Sequence, residues 1–258
     1  MNLLLLDGDE VDGGVARVSG RRARHLREVL GVTVGSEVRA GIVGAQVGVG
    51  VVRAMDGEVI ELEVRCDRAP PPRLPVALVL AVPRPKVLTR VLEMAAAFAV
   101  ERVELVNAWR VDKAYLDSPR LAPGALALAM RLGAEQGGST HVPPVTLHRR
   151  LMAWMDRDHP AGVAPRGPAL CAHPRTGRWL EDAAPFAARA AADGAAAGGG
   201  APATITLAIG PEGGWIEREV ETFAARGFAV VGLGHAVLRV EAAVAAALGQ
   251  LALLARRG

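Results

Sequence analysis

The chain has 258 residues, 51% of them hydrophobic, with a formal net charge of +3 and a sequence pI of about 9.4. This length allows one large domain or two modest ones, each with a substantial core. The apolar run at residues 76–82 is too short to span a bilayer. The leucines at residues 3–6 are followed directly by Asp7, and no basic residue precedes them, unlike in a signal peptide. We therefore expect a cytoplasmic protein with no membrane span and no signal peptide.

The two cysteines, Cys66 and Cys171, lie far apart in the sequence. Neither belongs to a group of residues with metal-ligand spacing. We therefore expect both to be free thiols in a reducing compartment, and we expect no metal site.

The first 68 residues predict a small, β-rich, barrel-like unit. Turns that contain glycine separate its short strand-like runs, which lie at residues 3–6, 37–41, 47–52 and 59–64. One helix interrupts these runs at about residues 21–30 and closes at Gly31. The spacing of its apolar residues predicts that Leu26, Val29 and Leu30 face the core.

A basic cluster overlaps this helix. Residues 17–27 hold five arginines, one histidine and no acidic residue. The arginines are Arg17, Arg21, Arg22, Arg24 and Arg27. Such a cluster attracts phosphate groups and so favours contact with a nucleic-acid backbone. A solvated helix face has the same composition, and both interpretations stay open at this point.

A domain boundary is predicted at residues 68–73, because three consecutive prolines stiffen the chain there and end any strand. Strands and helices alternate beyond it, which favours an α/β domain with a largely parallel sheet. Predicted strands lie at residues 76–82, 103–107, 168–174, 205–209 and 228–233, and predicted helices at 86–99, 125–135 and 242–255. Residues 183–203 are rich in alanine and glycine and predict a mobile loop.

The most informative stretches lie near the C-terminus, where three elements meet glycine-rich turns. The first turn, IGPEGG, comprises Ile209, Gly210, Pro211, Glu212, Gly213 and Gly214. A second strand ends at Leu233 and Gly234, and the sequence LRVEAA, which begins at Leu238, opens an alanine-rich helix. Strand ends that stop at glycine beside a helix N-terminus expose backbone amides and carbonyls, which suits a small, flat, polar ligand. Ordinary strand-to-helix turns are the alternative.

The order IGPEGG, GLG and LRVEAA resembles the C-terminal signature of the RsmE family. These are SPOUT-class methyltransferases that act on N3 of uridine 1498 in 16S rRNA. Similar segments run along almost the whole chain, namely the helix at 21–30, PRPK at 83–86, WRVDK at 109–113, DSPRL at 117–121 and GAEQ at 133–136.

This resemblance implies a fold, a cofactor and partners. It implies an RNA-binding, PUA-like β-barrel over residues 1–70 and an α/β SPOUT methyltransferase domain with a trefoil knot over residues 73–258. The three C-terminal segments would form the site for S-adenosylmethionine. The implied partner is 16S rRNA in the small ribosomal subunit, and the implied assembly is a homodimer through the knot helices.

The resemblance also assigns roles to individual residues. The expected cofactor-binding residues are Ile209, Gly210, Pro211, Gly213, Gly214, Leu233, Gly234 and Leu238. The expected RNA contacts are Arg84, Lys86 and Arg110, together with the five arginines of the basic cluster.

Arg239 and Glu212 are the expected catalytic residues. A methyl group on a sulfonium is already activated, so the enzyme mainly aligns donor and acceptor. A cation such as Arg239 would stabilise the negative charge that develops on O2 or O4 of the uracil. Glu212 would accept the N3 proton or hold a cofactor hydroxyl. The structural alternatives are a salt bridge from Arg239 to Glu212 or Glu241, and a turn carboxylate that satisfies helix amides.

The sequence departs from the family pattern at two places. Val240 stands where many members have threonine, which puts any role of that hydroxyl in doubt. Residues 137–140, GGST, lack the arginine that commonly follows the EQ motif, which weakens one RNA contact. Trp109 and Trp215 are candidates for stacking on a base, although burial in the core is the favoured interpretation of both.

Three other functions fit parts of the sequence. The first is a related SPOUT methyltransferase that acts on a tRNA base or on ribose, against which the N-terminal barrel and the PEGG turn argue. The second is a non-catalytic RNA-binding relative, which the intact IGPEGG turn and Arg239 disfavour. The third is a dinucleotide-binding oxidoreductase, prompted by residues 232–234, but the third glycine and an acidic residue about twenty positions further on are missing.

Overall fold

The computed structural model describes residues 2–174, 176–183 and 203–256, in which two six-stranded sheets follow one another. The expected mobile loop therefore lies outside the described residues, except for its two end positions. The first sheet ends at Arg68 and the second begins at Leu74, so the proline segment joins them. The division into two domains at this segment stays a prediction.

The N-terminal sheet is mixed and curled, with the strand order β1-β4-β5-β6-β3-β2. Only the pair β1 and β4 is parallel among its described pairings. Its elements are β1 (Leu4–Leu6), β2 (Val11–Asp12), β3 (Val15–Val18), α1 (Gly20–Glu28), β4 (Glu37–Ile42), β5 (Val47–Asp56) and β6 (Val59–Arg68). Alternate residues of β6, namely Ile60, Leu62 and Val64, are buried, as expected for a strand with one face on a core.

The expectation that Val29 and Leu30 face the core is wrong. Their exposed fractions are 67% and 48%, whereas Leu26 is fully buried. The helix ends at Glu28, and the backbone N–H groups of Val29 and Leu30 both donate to the carbonyl of His25. The chain therefore leaves the helical path before Leu30, and Val32, which is 7% exposed, joins the core instead.

The C-terminal sheet is parallel throughout, with the order β12-β10-β11-β7-β8-β9, which confirms the predicted α/β class. Its strands are β7 (Leu74–Ala81), β8 (Val100–Val106), β9 (Val145–His148), β10 (Ala169–Ala172), β11 (Ile205–Ile209) and β12 (Ala229–Val231). The helices are α2 (Pro85–Ala97), α3 (Lys113–Leu116), α4 (Pro123–Gly137), α5 (Leu151–Asp158), α6 (Leu180–Ala183), α7 (Glu217–Ala225) and α8 (Val240–Ala255).

Strands β7 and β11 are adjacent at the centre of this sheet, where Leu80 pairs with Ile209. Both strands are almost continuously apolar and buried, as is typical of strands covered on both faces. The chain runs outward from β7 through β8 to β9, and then crosses to the other half of the sheet. Such a reversal of strand order creates a crevice at the carboxyl ends of the strands, where α/β proteins bind ligands.

Helices α2 and α4 approach each other closely because α4 carries glycine at the contact. A Cβ atom on Gly133 would lie 2.1 Å from the carbonyl oxygen of Glu93, and one on Gly137 would lie 2.4 Å from that of Ala97. Any larger side chain at either position would force the helices apart. The glycines of the GAEQ segment and of the following GGST run therefore have a packing role.

Glu135 of the EQ motif ties the two sheets together. Its side chain is 1% exposed, and both carboxylate oxygens accept hydrogen bonds from Arg21 of α1 at 2.9 Å. Its backbone carbonyl accepts from the N–H groups of Asn2 and Leu3 at 3.0 Å. Thr140 adds a further link, since its hydroxyl donates to the carbonyl of Ala45 at 2.8 Å. These contacts fix the N-terminal sheet against α4.

Both cysteines are free, as predicted, and burial raises the pKa of the Cys171 thiol. Over the described ranges, no group of three or more His, Cys, Asp or Glu side chains has a metal-binding arrangement. In the same part of the chain, every helix is too short or too polar to cross a membrane.

Candidate functional site

A cavity of about 190 Å³ lies at the carboxyl ends of β10, β11 and β12. All the residues predicted to hold a cofactor line it: Ile209, Gly210, Pro211, Gly213, Gly214, Leu233, Gly234 and Leu238. The segment 172–174 at the carboxyl end of β10 and the first turn of α8 complete the wall. The structure thus brings together three segments that are separate in sequence, although their role in cofactor binding stays a prediction.

The glycine turn after β11 has a conformation that its sequence explains. Gly214 has a φ of +71°, and its N–H donates to the carbonyl of Pro211 at 2.7 Å, which closes the turn. Trp215 follows, is 4% exposed, and packs against Phe223 with 5.0 Å between ring centroids. The predicted burial of Trp215 is therefore confirmed. Its indole nitrogen is buried and has no hydrogen-bond partner among the described residues.

The second and third segments are held by α8. Gln250 donates from its side-chain amide to the carbonyl of Leu233 at 3.0 Å, which anchors the turn after β12. Gly234 has a φ of +148°, a conformation that side chains disfavour. Val240, the first residue of α8, is 4% exposed and lines the cavity. The position that carries threonine in many family members therefore supplies an apolar contact here.

Glu212 points to the start of α2. Its carboxylate accepts a hydrogen bond from the backbone N–H of Arg84 at 2.9 Å, and the Arg84 Nε atom lies 4.0 Å away. Arg84 is the residue that precedes the first turn of α2. This contact matches the structural alternative for Glu212, in which a turn carboxylate satisfies an amide at a helix start. The catalytic role of Glu212 stays a prediction.

Arg239 is exposed at the mouth of the cavity and precedes α8. It lines an adjoining cleft of about 460 Å³ together with Arg84, Glu212, Leu238 and other residues. Within the described part of the chain, its guanidinium group forms no ion pair, so the structure does not contain the expected alternative of a salt bridge to Glu212 or Glu241. A cation without an internal partner beside a cavity is available to a ligand.

Arg110 reaches the glycine turn from the loop after β8. Its guanidinium donates to the carbonyl of Gly213, and its Cδ atom lies 3.0 Å from the position that a Cβ on Gly213 would take. The preceding residue, Trp109, is 79% exposed, so its expected burial is wrong. Ala108 and Val111 are the buried residues of this turn, and they direct the two residues between them outward.

The predicted RNA contacts of the basic cluster, which lie on β3 and α1, have mostly internal partners. Arg21 pairs with Glu135, and Arg22 pairs with Glu10, whose pKa this contact lowers. Arg17 pairs with Glu61 at 3.0 Å, and Arg27 donates to the carbonyl of Val59 at 3.1 Å. Arg24 is exposed, and we find no hydrogen bond or ion pair for it among the described residues. RNA binding by this cluster stays a prediction, and Arg24 is its most available member.

A basic stripe leads from the cavity mouth toward α1. Lys86 and Arg90 are exposed, lie one turn apart on α2, and follow Arg84. Arg90 also lines a cleft of about 470 Å³ between α1 and α2, which Arg21 and His25 line from the other side. Arg84 and Lys86 were predicted to contact RNA, but Arg90 was not. Arg90 lies four residues after Lys86, a spacing that places both side chains on the same face of a helix.

Comparison with known proteins matches most of the chain to one family. Residues 70–252 match the model of the RNA methyltransferase domain family. The ribosomal RNA small subunit methyltransferase E of Treponema pallidum is 27% identical over 251 residues, covering 96% of this chain and 89% of the relative. The protein of the same name from Mycobacterium bovis is 29% identical over 260 residues, covering 98% and 87%.

Solved structures show the same fold. The ribosomal RNA small subunit methyltransferase E of Neisseria gonorrhoeae, bound to S-adenosyl methionine, has a TM-score of 0.75 at 20% identity and 98% coverage of both chains. A methyltransferase of Legionella pneumophila in complex with the cofactor SAM has a TM-score of 0.73 at 18% identity, covering 98% of this chain and 97% of that one. The family match and the fold together define an RNA methyltransferase of the SPOUT type. Within that class, the chain belongs to the RsmE family.

Proposed function

We propose that this protein transfers a methyl group from S-adenosylmethionine to N3 of uridine 1498 in 16S rRNA. The observation that carries the proposal is the cavity at the carboxyl ends of β10, β11 and β12, where all the predicted cofactor-binding residues meet beside Arg239, which has no ion pair among the described residues. Relatives named for the small-subunit ribosomal RNA and a structural neighbour bound to S-adenosyl methionine support the substrate and the cofactor.

The residues present fit this cofactor. Ile209, Leu238 and Val240 offer apolar surface for a flat base, while the glycine turns at 210–214 and 233–234 offer backbone amides and carbonyls. The buried indole N–H of Trp215, which has no hydrogen-bond partner within the described ranges, is a donor that a polar ligand would satisfy. When bound, the cofactor supplies an activated methyl group.

Arg239 is the residue proposed to act on the acceptor base. Loss of the N3 proton leaves negative charge that is shared by N3 and the uracil oxygens O2 and O4. A guanidinium at the cavity mouth stabilises that charge, and it needs no reorganisation because no carboxylate in the described part of the chain holds it elsewhere. Glu212 is proposed as the proton acceptor or as a ligand of a cofactor hydroxyl, while its contact with Arg84 holds the turn in place.

RNA would reach the site along the basic stripe of α2. Arg84, Lys86 and Arg90 lead from the cavity toward Arg24 on α1, and Arg110 flanks the cavity on the other side. Such side chains contact phosphates and provide affinity that depends on salt. A ribosomal RNA substrate places the proposed reaction in the cytoplasm.

We also propose that the C-terminal domain contains a trefoil knot and that the protein forms a homodimer through α8. Helix α8 is apolar around most of its circumference, and it leaves Leu253 41% exposed and Leu254 half-buried. A helix that is apolar on all sides is normally covered on all sides. Sedimentation of the protein would give twice the mass of 26.9 kDa if a second copy covers this helix, and Leu253→Glu would then shift it to the monomer.

The function is tested by transfer of a labelled methyl group to small ribosomal subunits from cells that lack this enzyme. We expect 3-methyluridine in 16S rRNA, identified by mass spectrometry after nuclease digestion. Transfer to tRNA instead would support the related SPOUT reaction on another RNA. Absence of transfer with calorimetric binding of the cofactor intact would favour a non-catalytic relative, and absence of cofactor binding would contradict the assignment of the cavity.

A further inference from the structure

Trp109 is the most exposed of the four tryptophans, with an exposed fraction of 79%. Trp154 and Trp215 are 2% and 4% exposed, and Trp179 is partly buried against the ring of His235. Tryptophan is largely buried in most proteins because its ring has a large apolar surface. The chain has only 3% aromatic residues. A largely exposed tryptophan in such a chain therefore indicates a ligand that covers the ring.

The backbone of Trp109 is fixed, although its ring is exposed. Its N–H donates to Glu219 Oε1 at 2.8 Å, and Glu219, which is 8% exposed, also accepts from the N–H of Ile216 at 2.9 Å through its other oxygen. The next residue, Arg110, donates to the carbonyl of Gly213. The turn that carries Trp109 is thus bound to the glycine turn of the cavity and to the helix α7 that follows it. This fixed backbone keeps the entropic cost of binding low.

The surroundings of Trp109 are cationic. Arg110 in the same loop and Lys113 at the start of α3 are exposed. Asn107 donates to the carbonyl of Arg149 at 3.1 Å, which brings the exposed Arg149 and Arg150 to this edge. Asp112 is engaged as the cap of α3, where its side chain accepts from the N–H of Ala114. A single aromatic ring among cations suits a base beside its phosphates, whereas protein interfaces present larger contiguous apolar patches.

We propose that Trp109 stacks on an unpaired base of the RNA next to the acceptor uridine. The ring does not line the cofactor cavity, whereas the side chain of the next residue, Arg110, contacts Gly213 of the cavity wall. The neighbour of the acceptor therefore fits the position of the ring, and the acceptor itself does not. Stacking there, with Arg110 on the adjoining phosphate, holds the strand while the acceptor enters the cavity. This inference rests on the proposed action on RNA.

The first test uses steady-state methylation of small ribosomal subunits from cells that lack this enzyme. We expect Trp109→Ala to raise KM for the subunits by about ten-fold, because stacking on one base is commonly worth one to two powers of ten in affinity. The value of kcat and the Kd for S-adenosylmethionine should stay within about two-fold, and Trp109→Phe should recover most of the loss. Val163→Ala, at an apolar residue that is 57% exposed at the amino ends of the strands, is the control and should change nothing.

A second test does not depend on catalysis. Titration of the protein with a single-stranded oligouridine should quench tryptophan fluorescence, and Trp109→Phe should remove that quenching with little loss of affinity. An unchanged KM and unchanged quenching in the variants would overturn the inference even if the enzyme methylates 16S rRNA. A fall in kcat alone would overturn it as well, and a shift of Trp109→Ala to a smaller species in sedimentation would assign the ring to a subunit contact. If the wild type transfers no methyl group but Trp109 still accounts for the quenching, the stacking inference stands and the proposed reaction falls.

Discussion

The side chain of Glu212 accepts a hydrogen bond from the backbone N–H of Arg84, with 2.9 Å between Oε1 and the nitrogen. The two residues follow the adjacent central strands β11 and β7, so this bond closes the end of the sheet beside the cavity. It connects the turn that lines the cavity to the helix that carries the basic stripe. The proposed cofactor site and the proposed RNA path therefore share one structural element.

Variants of Glu212 separate this positioning role from proton transfer. We expect Glu212→Ala to weaken binding of S-adenosylmethionine by about ten-fold, because a hydrogen bond with one charged partner contributes roughly 1.5–3 kcal/mol. Glu212→Gln keeps an oxygen that accepts from Arg84, so its calorimetric Kd should stay within about three-fold of the wild type. Loss of methyl transfer by Glu212→Gln with normal cofactor binding would instead identify Glu212 as the proton acceptor.

Arg239→Ala should reduce methyl transfer strongly while cofactor binding survives. Removal of one preorganised donor to a developing anion typically costs about 10²–10³-fold in kcat. Arg239 forms no ion pair within the described residues, so its loss should leave the melting temperature unchanged. The measurements are single-turnover transfer to small subunits and calorimetry with the cofactor. Equal losses of methyl transfer and of cofactor binding would show that Arg239 lines the cofactor cavity and does not act on the base.

Arg21 and Arg24, three residues apart on α1, should have different roles. Arg21→Ala leaves the carboxylate of Glu135 buried, with the Nε of Arg131 at 3.7 Å as its remaining cation. We expect a loss of about 1–3 kcal/mol in the free energy of unfolding, and a fall of several degrees in melting temperature. Arg24→Ala should leave stability unchanged and should lower the salt dependence of RNA binding by about one ion.

Thermal denaturation and RNA affinity at several salt concentrations distinguish these two roles. If Arg21→Ala keeps its melting temperature, the ion pair with Glu135 contributes nothing. If Arg24→Ala keeps the salt dependence of the wild type, α1 does not contact RNA. The second result would leave the stripe of Arg84, Lys86 and Arg90 as the RNA path.

The sequence was sufficient to predict the cavity because its residues follow strand ends. Parallel strands end at the same edge of a sheet, so Ile209 and Leu233 had to lie near each other once both strands were recognised. The opposite holds for Arg21 and Glu135, which are 114 positions apart. Only the packing of α1 against α4 brings them together, and the sequence offered a basic cluster and an EQ motif without a link between them.

Local errors have equally local causes. The helical spacing placed Val29 and Leu30 inward, but the helix ends before them and the spacing no longer applies. The apolar character of Trp109 favoured burial, whereas the buried Ala108 and Val111 on either side direct its ring outward. The periodicity of a segment predicts burial only while its secondary structure continues, and a turn residue is placed by its neighbours.

The stability of the fold should fall in mildly acidic solution because of His159. Its ring packs between Trp154 and Phe228, and burial lowers the pKa of the imidazole, an effect that Arg102 and Arg226 increase and Asp158 opposes. The unfolded state takes up a proton near pH 6.5 while the folded state stays neutral, so stability is lost as the pH falls below about 6.5 toward the folded value. Carboxyl groups whose pKa is lowered in the folded state, such as Asp158, affect stability only at more acidic pH, below about 4.5.

Melting temperatures at pH 7.5 and pH 5.5 measure this effect. His159→Phe keeps an aromatic ring but cannot take up a proton, so the difference between the two temperatures should be smaller than in the wild type. His141 is a second neutral histidine, because burial and Arg73 lower its pKa, and His141→Gln should remove a separate part of the difference. The melting temperature of the double variant should therefore fall least between pH 7.5 and pH 5.5. A temperature difference in His159→Phe equal to that of the wild type would show that protonation of the unfolded chain at this residue does not affect stability.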